Sequence, residues 1–162
     1  MNAYQTNSEA DSREFAHALG EFLQPGDTVL LSGDLGTGKS VIARGIAGAL
    51  GVSCPMPSPS FPIMIPYQGR EKVFHFDLYR LNDPEEFYAA GLDEFLGGDG
   101  VSIVEWPEMG DIAPDRYVDV RLSRDASDDG RNIVLNFVNM ESAGKILPAL
   151  ERWRKPDEYT GH

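Results

Sequence analysis

Eight residues, Gly33-Asp34-Leu35-Gly36-Thr37-Gly38-Lys39-Ser40, place two glycines, a lysine and a hydroxyl at the spacing G-x-x-x-x-G-K-[ST]. That spacing suits the cradling of a nucleotide's phosphates. Glycine accepts φ > 0 and brings no Cβ toward a ligand, so the loop can turn its backbone N–H groups inward. Contacts to the bound molecule are then expected from Asp34, Leu35, Gly36, Thr37, Gly38, Lys39 and Ser40. Lys39 reaches the β- and γ-phosphates, and the Ser40 hydroxyl serves as a ligand for Mg²⁺. The expectation is a protein that binds a nucleoside triphosphate.

Two acids stand where such a loop needs them. Val73-Phe-His-Phe-Asp77 alternates like a strand and ends on Asp77, and the apolar run Val101-Ser-Ile-Val-Glu105 ends on Glu105. Carboxylates at the C-terminal ends of parallel strands lie where α/β proteins place their ligands. Asp77 can hold Mg²⁺ through water or orient an attacking water, and Glu105 can attract the metal directly or through water. Lys39, Asp77 and Glu105 are the catalytic candidates, and Ser40 and Glu105 the metal candidates, with Glu108 a weaker alternative. Which of Asp77 and Glu105 positions water stays open. Tyr79 and Arg80 suit either the site or local pairing, and Trp106 either packs or sits beside the nucleotide.

Four prolines in the eight residues Pro55 to Pro62 forbid a helix and make a stiff, extended loop. Such a loop, following the helix after a phosphate loop, can sense the γ-phosphate. Ser58 and Ser60 are therefore candidates for contacts to Mg²⁺, phosphate or water, with a plain surface connection equally compatible.

The elements that must position these groups can be read from the flanks. Thr28 to Ser32 is a short aliphatic run expected as a buried parallel strand. Val41 to Leu50 predicts a helix that stops at Gly51. Ahead of them, Asn7 to Leu23 predicts an amphipathic helix capped by Ser8 or Asp11, with Phe15, Leu19, Phe22 and Leu23 on one face. Ser12 on that helix either approaches the nucleotide or is solvated. Ile63 to Tyr67 reads as an edge strand because Pro66 cannot donate to a ladder. Asn82 to Glu86 opens a short helix broken at Gly91, and Asp93 to Leu96 adds a turn. Tyr117 to Leu122 and Asn132 to Val138 read as an antiparallel pair joined by an acidic turn, with Arg131 either approaching the nucleotide or standing as a surface charge. A helix is expected from Ser142 to Trp153.

The fold class that follows is α/β: one P-loop NTPase-like domain over residues 1–155, with a mainly parallel sheet flanked by helices and extended by antiparallel strands. Residues 156–162 read as a frayed tail.

Composition narrows the partners. The chain has 162 residues with 14 basic and 26 acidic side chains, a net charge of −12. Nucleic-acid binders usually display a basic surface, so direct tight binding to RNA is not expected. The lone Cys54 excludes an intrachain disulfide, and His17, His75 and His162 are too scattered to suggest a metal site or a triad. No signal peptide or membrane span is legible, so a cytoplasmic location is expected.

Taken together, four segments resemble one family. Gly33 to Ser40, Ser58-Pro-Ser-Phe61, His75-Phe-Asp-Leu-Tyr-Arg-Leu81 and Val104-Glu-Trp-Pro107 are similar, in order and spacing, to the TsaE-type ATPases of bacterial tRNA threonylcarbamoyladenosine synthesis. The phosphate loop is shared by many families, whereas the His-x-Asp-Leu-Tyr-Arg-Leu and Glu-Trp-Pro segments together are specific. The resemblance implies an ATPase using ATP and Mg²⁺ that works with the TsaB–TsaD complex on tRNA adenosine 37. It implies phosphate and Mg²⁺ roles for Lys39 and Ser40, a nucleotide contact for Ser60, an essential acid at Asp77 and a metal-side acid at Glu105. The chain departs from the pattern at Val41 and Ser60, where Thr is usual, and at Pro62, where a small or polar residue is usual. Other classes compatible with the residues are a P-loop small-molecule kinase and a nucleotide-dependent interaction module with little hydrolysis of its own.

Overall fold

Aliphatic runs become the middle of a sheet when both of its faces are covered. In the computed structural model, which describes residues 2–57, 63–127 and 129–156, the strands are β1 (Asn2–Thr6), β2 (Thr28–Ser32), β3 (Met64–Gln68), β4 (Lys72–Asp77), β5 (Gly100–Glu105), β6 (Tyr117–Arg124) and β7 (Arg131–Val138). They form one sheet in the order β1-β7-β6-β2-β5-β4-β3. Strands β6, β2, β5 and β4 run parallel to their neighbours in the centre. Antiparallel pairing then adds β7 and β1 on one side and β3 on the other. This is the expected α/β architecture. Because β2 sits between β5 and β6, the loop leaving β2 emerges at the middle of the sheet's C-terminal edge.

Alternation along the strands sorts side chains between two layers. Helices α1 (Glu9–Gly20), α2 (Lys39–Ala49) and α4 (Ala143–Ala149) cover one face, where Phe15, Leu19, Ile42 and Ile146 share a core with Val29, Leu31, Val73, Val101 and Ile103. Helix α3 (Glu85–Ala89) and the 3₁₀ turns at Leu92–Phe95 and Pro107–Gly110 lie with the other face, over Leu30, Phe74, Phe76 and Val104. The same period of two turns His75, Asp77 and Glu105 toward the α2 layer.

Several boundaries differ from expectation for identifiable reasons. Helix α1 begins after Ser8, whose hydroxyl accepts from the Asp11 N–H at 3.0 Å, and it ends at Gly20 rather than Leu23. Phe22 therefore falls beyond the helix and is 36% exposed instead of joining the buried face. The C-terminal helix stops at Ala149 and continues as a 3₁₀ turn, Glu151–Trp153, one residue after Pro148, whose missing N–H weakens the final turn. Strand β1 was not expected at all. Pro66 does lie on an edge strand. Ser58, Ser60 and Pro62, Asp128 in the acidic turn and the tail at 157–162 lie outside the described residues.

Candidate functional site

The loop between β2 and α2 is shaped by its glycines. Gly36 and Gly38 take φ values of 79° and 100°, which cost a residue with a Cβ. Gly38 is the N-cap of α2 and, having no side chain, leaves the helix's first N–H groups without a side-chain cap. An uncapped helix N-terminus with its positive dipole end suits an anion. The Thr37 hydroxyl closes the turn by donating to the Asp34 carbonyl at 2.8 Å.

Lys39 opens α2 and is only 6% exposed. Its ammonium donates to the carbonyls of Gly33 at 2.6 Å and Asp34 at 3.0 Å, and it lies 4.1 Å from the centre of the Trp106 ring. Burial pushes the ammonium's pKa below the usual lysine value, against the pull of Glu105, Glu108, Asp77 and Asp34 in the other direction. A desolvated cation held by neutral carbonyls is suited to receive phosphate oxygens.

The acids stand beside it. Register pairs Asp77 at the end of β4 with Glu105 at the end of β5, so the two carboxylates leave adjacent strands at one level. Asp77 accepts from the Tyr79 N–H at 3.1 Å. Glu105 is 3% exposed, and its two oxygens face different partners: the Ser40 hydroxyl at 3.4 Å and His75 Nε2 at 2.7 Å. With the carboxylate as acceptor, Nε2 is the donor. Glu108, by contrast, is exposed, so Glu105 is the acid placed next to Ser40. Among the described residues no group of three or more His, Cys, Asp or Glu side chains forms a cage for a metal ion. A hydroxyl and one carboxylate nevertheless suit Mg²⁺, which usually keeps waters and substrate phosphates as its remaining ligands.

On the far side of the loop the β6–β7 hairpin supplies arginines. Arg124 donates to the Gly36 carbonyl at 3.0 Å, and Arg131 donates through Nε to the Thr37 carbonyl at 2.8 Å. Arg131 is thus a loop contact rather than a simple surface charge. These elements surround a cleft of about 470 Å³ lined by Leu35 to Ile42, Asp77, Tyr79, Glu105, Trp106 and Arg131, with Glu9 and Ser12 of α1 at its wall. Its size suits a nucleotide. Ser12 is buried, and its hydroxyl pairs with that of Thr6 at 2.6 Å. Arg80 is exposed.

The structure brings together Asp34's carbonyl, Leu35 to Ser40, Asp77 and Glu105 around one cleft. It adds His75, which sequence reasoning set aside as one of three scattered histidines. The signal was its place two residues before Asp77 on the same strand face. Trp106 takes an αL conformation with φ 58°, rare for an aromatic residue, and stacks near Tyr79 at 4.8 Å between ring centres. Spacing alone gave no sign of that backbone conformation.

Residues 6–133 match the family described as threonylcarbamoyl adenosine biosynthesis protein TsaE. The tRNA threonylcarbamoyladenosine biosynthesis protein TsaE of Bacillus subtilis is 34% identical over 83% of this chain and 85% of its own length. The protein of the same name from Treponema pallidum is 33% identical over 80% of this chain and 96% of its own length. Among solved structures, Bacillus subtilis YdiB aligns with a TM-score of 0.74 at 28% identity, covering 93% of each chain.

Proposed function

The chain belongs to the TsaE family of threonylcarbamoyl adenosine biosynthesis proteins, and from that premise we propose that it is an ATPase serving the TsaB–TsaD complex in modifying adenosine 37 of tRNA. The observation that carries the reading is one convergence. The Lys39 ammonium, the Ser40 hydroxyl and the Asp77 and Glu105 carboxylates meet at an uncapped helix N-terminus on the C-terminal edge of the sheet.

Mg²⁺-ATP, when bound, supplies the phosphoryl group and the cation that offsets its charge. The loop's N–H groups and Lys39 would hold the phosphates, and Ser40 with Glu105 would hold the metal. Asp77, whose carboxylate accepts from the Tyr79 N–H beside the same cleft, would orient a water and accept its proton. His75 fixes one oxygen of Glu105 and leaves the other turned to Ser40. The chain's acidity, at −12, supports action on a protein complex that holds tRNA rather than on tRNA itself. Exposed Leu35 and Tyr79 at the cleft offer apolar surface for such a partner.

Phosphate release from ATP, measured with the purified chain alone and with TsaB and TsaD of the same organism, tests this reading. Slow release alone, stimulated by the pair and abolished in Lys39→Ala, is the expected result. Hydrolysis at an unchanged rate in Lys39→Ala would remove the site assignment. Phosphoryl transfer that appears only on adding a small metabolite would favour a kinase instead.

A further inference from the structure

The β6–β7 hairpin presents two arginines to the main chain of the phosphate loop. Arg124 and Arg131 face each other in register across the hairpin. Arg124 Nη2 donates to the Gly36 carbonyl at 3.0 Å, and Arg131 Nη2 reaches the same oxygen at 3.4 Å. Arg131 Nε takes the next carbonyl, that of Thr37, at 2.8 Å, and Nη1 takes that of Gly130 at 2.8 Å. Three carbonyls therefore converge on one guanidinium, an arrangement that needs the rigid, spread donors of arginine rather than the point charge of lysine.

The consequence follows from peptide geometry. A trans peptide directs its C=O and N–H to opposite sides. Holding the Thr37 carbonyl toward Arg131 turns the Gly38 N–H away from it, at the residue that caps α2 in the αL conformation. Gly36 and Gly38 both have positive φ, and glycine tolerates many other conformations, so the loop's shape needs an external hold. The hold is itself anchored. Strand β1 pairs with β7 and sets Thr6 opposite Arg131, and the Gln5 amide donates to Asp125 at 2.9 Å at the start of the hairpin's turn.

We propose that Arg131, assisted by Arg124, is a positioning residue that presets the phosphate loop through its carbonyls and so sets the affinity for a nucleoside di- or triphosphate. This rests on the nucleotide-binding reading above. Preorganisation of this kind strengthens binding by removing the cost of ordering the loop. It acts on the β-phosphate cradle, which ATP and ADP share and AMP does not engage fully.

Two readouts on the full chain separate this inference from the reading it rests on. The first is backbone amide hydrogen exchange at residues 36–40 in nucleotide-free protein, comparing wild type with Arg131→Gln, Arg131→Lys and Arg124→Ala. The second is titration with ATP, ADP and AMP together with single-turnover hydrolysis at saturating ATP. Arg131→Gln is expected to speed exchange at these amides and to weaken ATP and ADP equally, by roughly tenfold, the worth of one charge-assisted hydrogen bond. AMP affinity and the single-turnover rate should stay within about twofold, as an interaction present equally in ground and transition states requires. Arg131→Lys should behave like Arg131→Gln, and Arg124→Ala should show a smaller change in the same direction. Unchanged exchange in Arg131→Gln would overturn the inference. So would a slowed single turnover with ADP affinity intact, which would put Arg131 on the transferring phosphate. Absence of ATP and ADP binding by wild type would sink the nucleotide reading, while exchange would still decide whether the arginines hold the loop. Should Arg131→Gln not fold, Arg131→Lys and Arg124→Ala give the same comparison.

Discussion

The phosphate loop lies between two unlike supports. On one side, the parallel strands β4 and β5 deliver carboxylates, and an imidazole, whose positions follow from sheet register and burial. On the other, the antiparallel β6–β7 hairpin delivers guanidinium groups that donate to main-chain carbonyls of the loop. The first side is buried: His75 and Glu105 are 1% and 3% exposed. Charges kept from water interact strongly and need little reorganisation, which suits the place where reaction charge develops. The second side contributes shape. Under the proposed reading the site divides its work, with chemistry on the rigid parallel core and loop conformation under the control of an added hairpin.

Substitutions can break that division, and the acid side should respond most. Asp77→Ala is expected to retain ATP binding and lose turnover by about 10²–10⁴-fold, the usual contribution of a positioned acid–base group. Parallel titration and single-turnover hydrolysis check this, and loss of binding with unaltered turnover would give Asp77 a binding role. Glu105→Gln should raise the Mg²⁺ concentration needed for half-maximal hydrolysis by roughly tenfold, since it removes one charged ligand or its water-mediated equivalent. A rate profile against Mg²⁺ that matches wild type would contradict the metal-side assignment.

His75→Ala sharpens the comparison from a stability standpoint. It leaves a buried Glu105 oxygen without its 2.7 Å donor, so urea unfolding should report a loss of about 1–3 kcal/mol. His75→Gln, which keeps an N–H donor, should recover part of it. The smallest effect is expected far from both supports: Ser8→Ala removes the α1 cap and should cost about 1 kcal/mol without altering nucleotide affinity.

What was legible in the chain follows the same divide. The phosphate loop could be read because its chemistry is local, with every required residue inside eight positions. Asp77 and Glu105 could be read because each closes an apolar run, and strand ends gather at one edge of a parallel sheet. His75 was missed because its meaning lies in pairing: it reaches Glu105 across a strand boundary, thirty residues away in sequence. The sequence leaves Arg131 open between the nucleotide and the surface because a hairpin's distance from the loop depends on strand order, and β6 lies next to β2 only through a crossover. Strand β1 escaped notice because Asn2–Thr6 is short and polar, and the pairing that makes it a strand comes from β7 near the other end of the chain. Phe22 was misplaced because the helical period was carried past Gly20, where the helix stops.

Every role proposed above requires that this edge of the sheet bind a nucleotide through the loop. Calorimetric titration of Mg²⁺-ATP into wild type and Lys39→Ala, each with its thermal unfolding recorded, would decide it. One site is expected in wild type, with an affinity at least about 100-fold weaker in the variant, consistent with loss of a buried charged contact, and an intact fold in both. No binding by a folded wild type, or equal binding by Lys39→Ala, would contradict it.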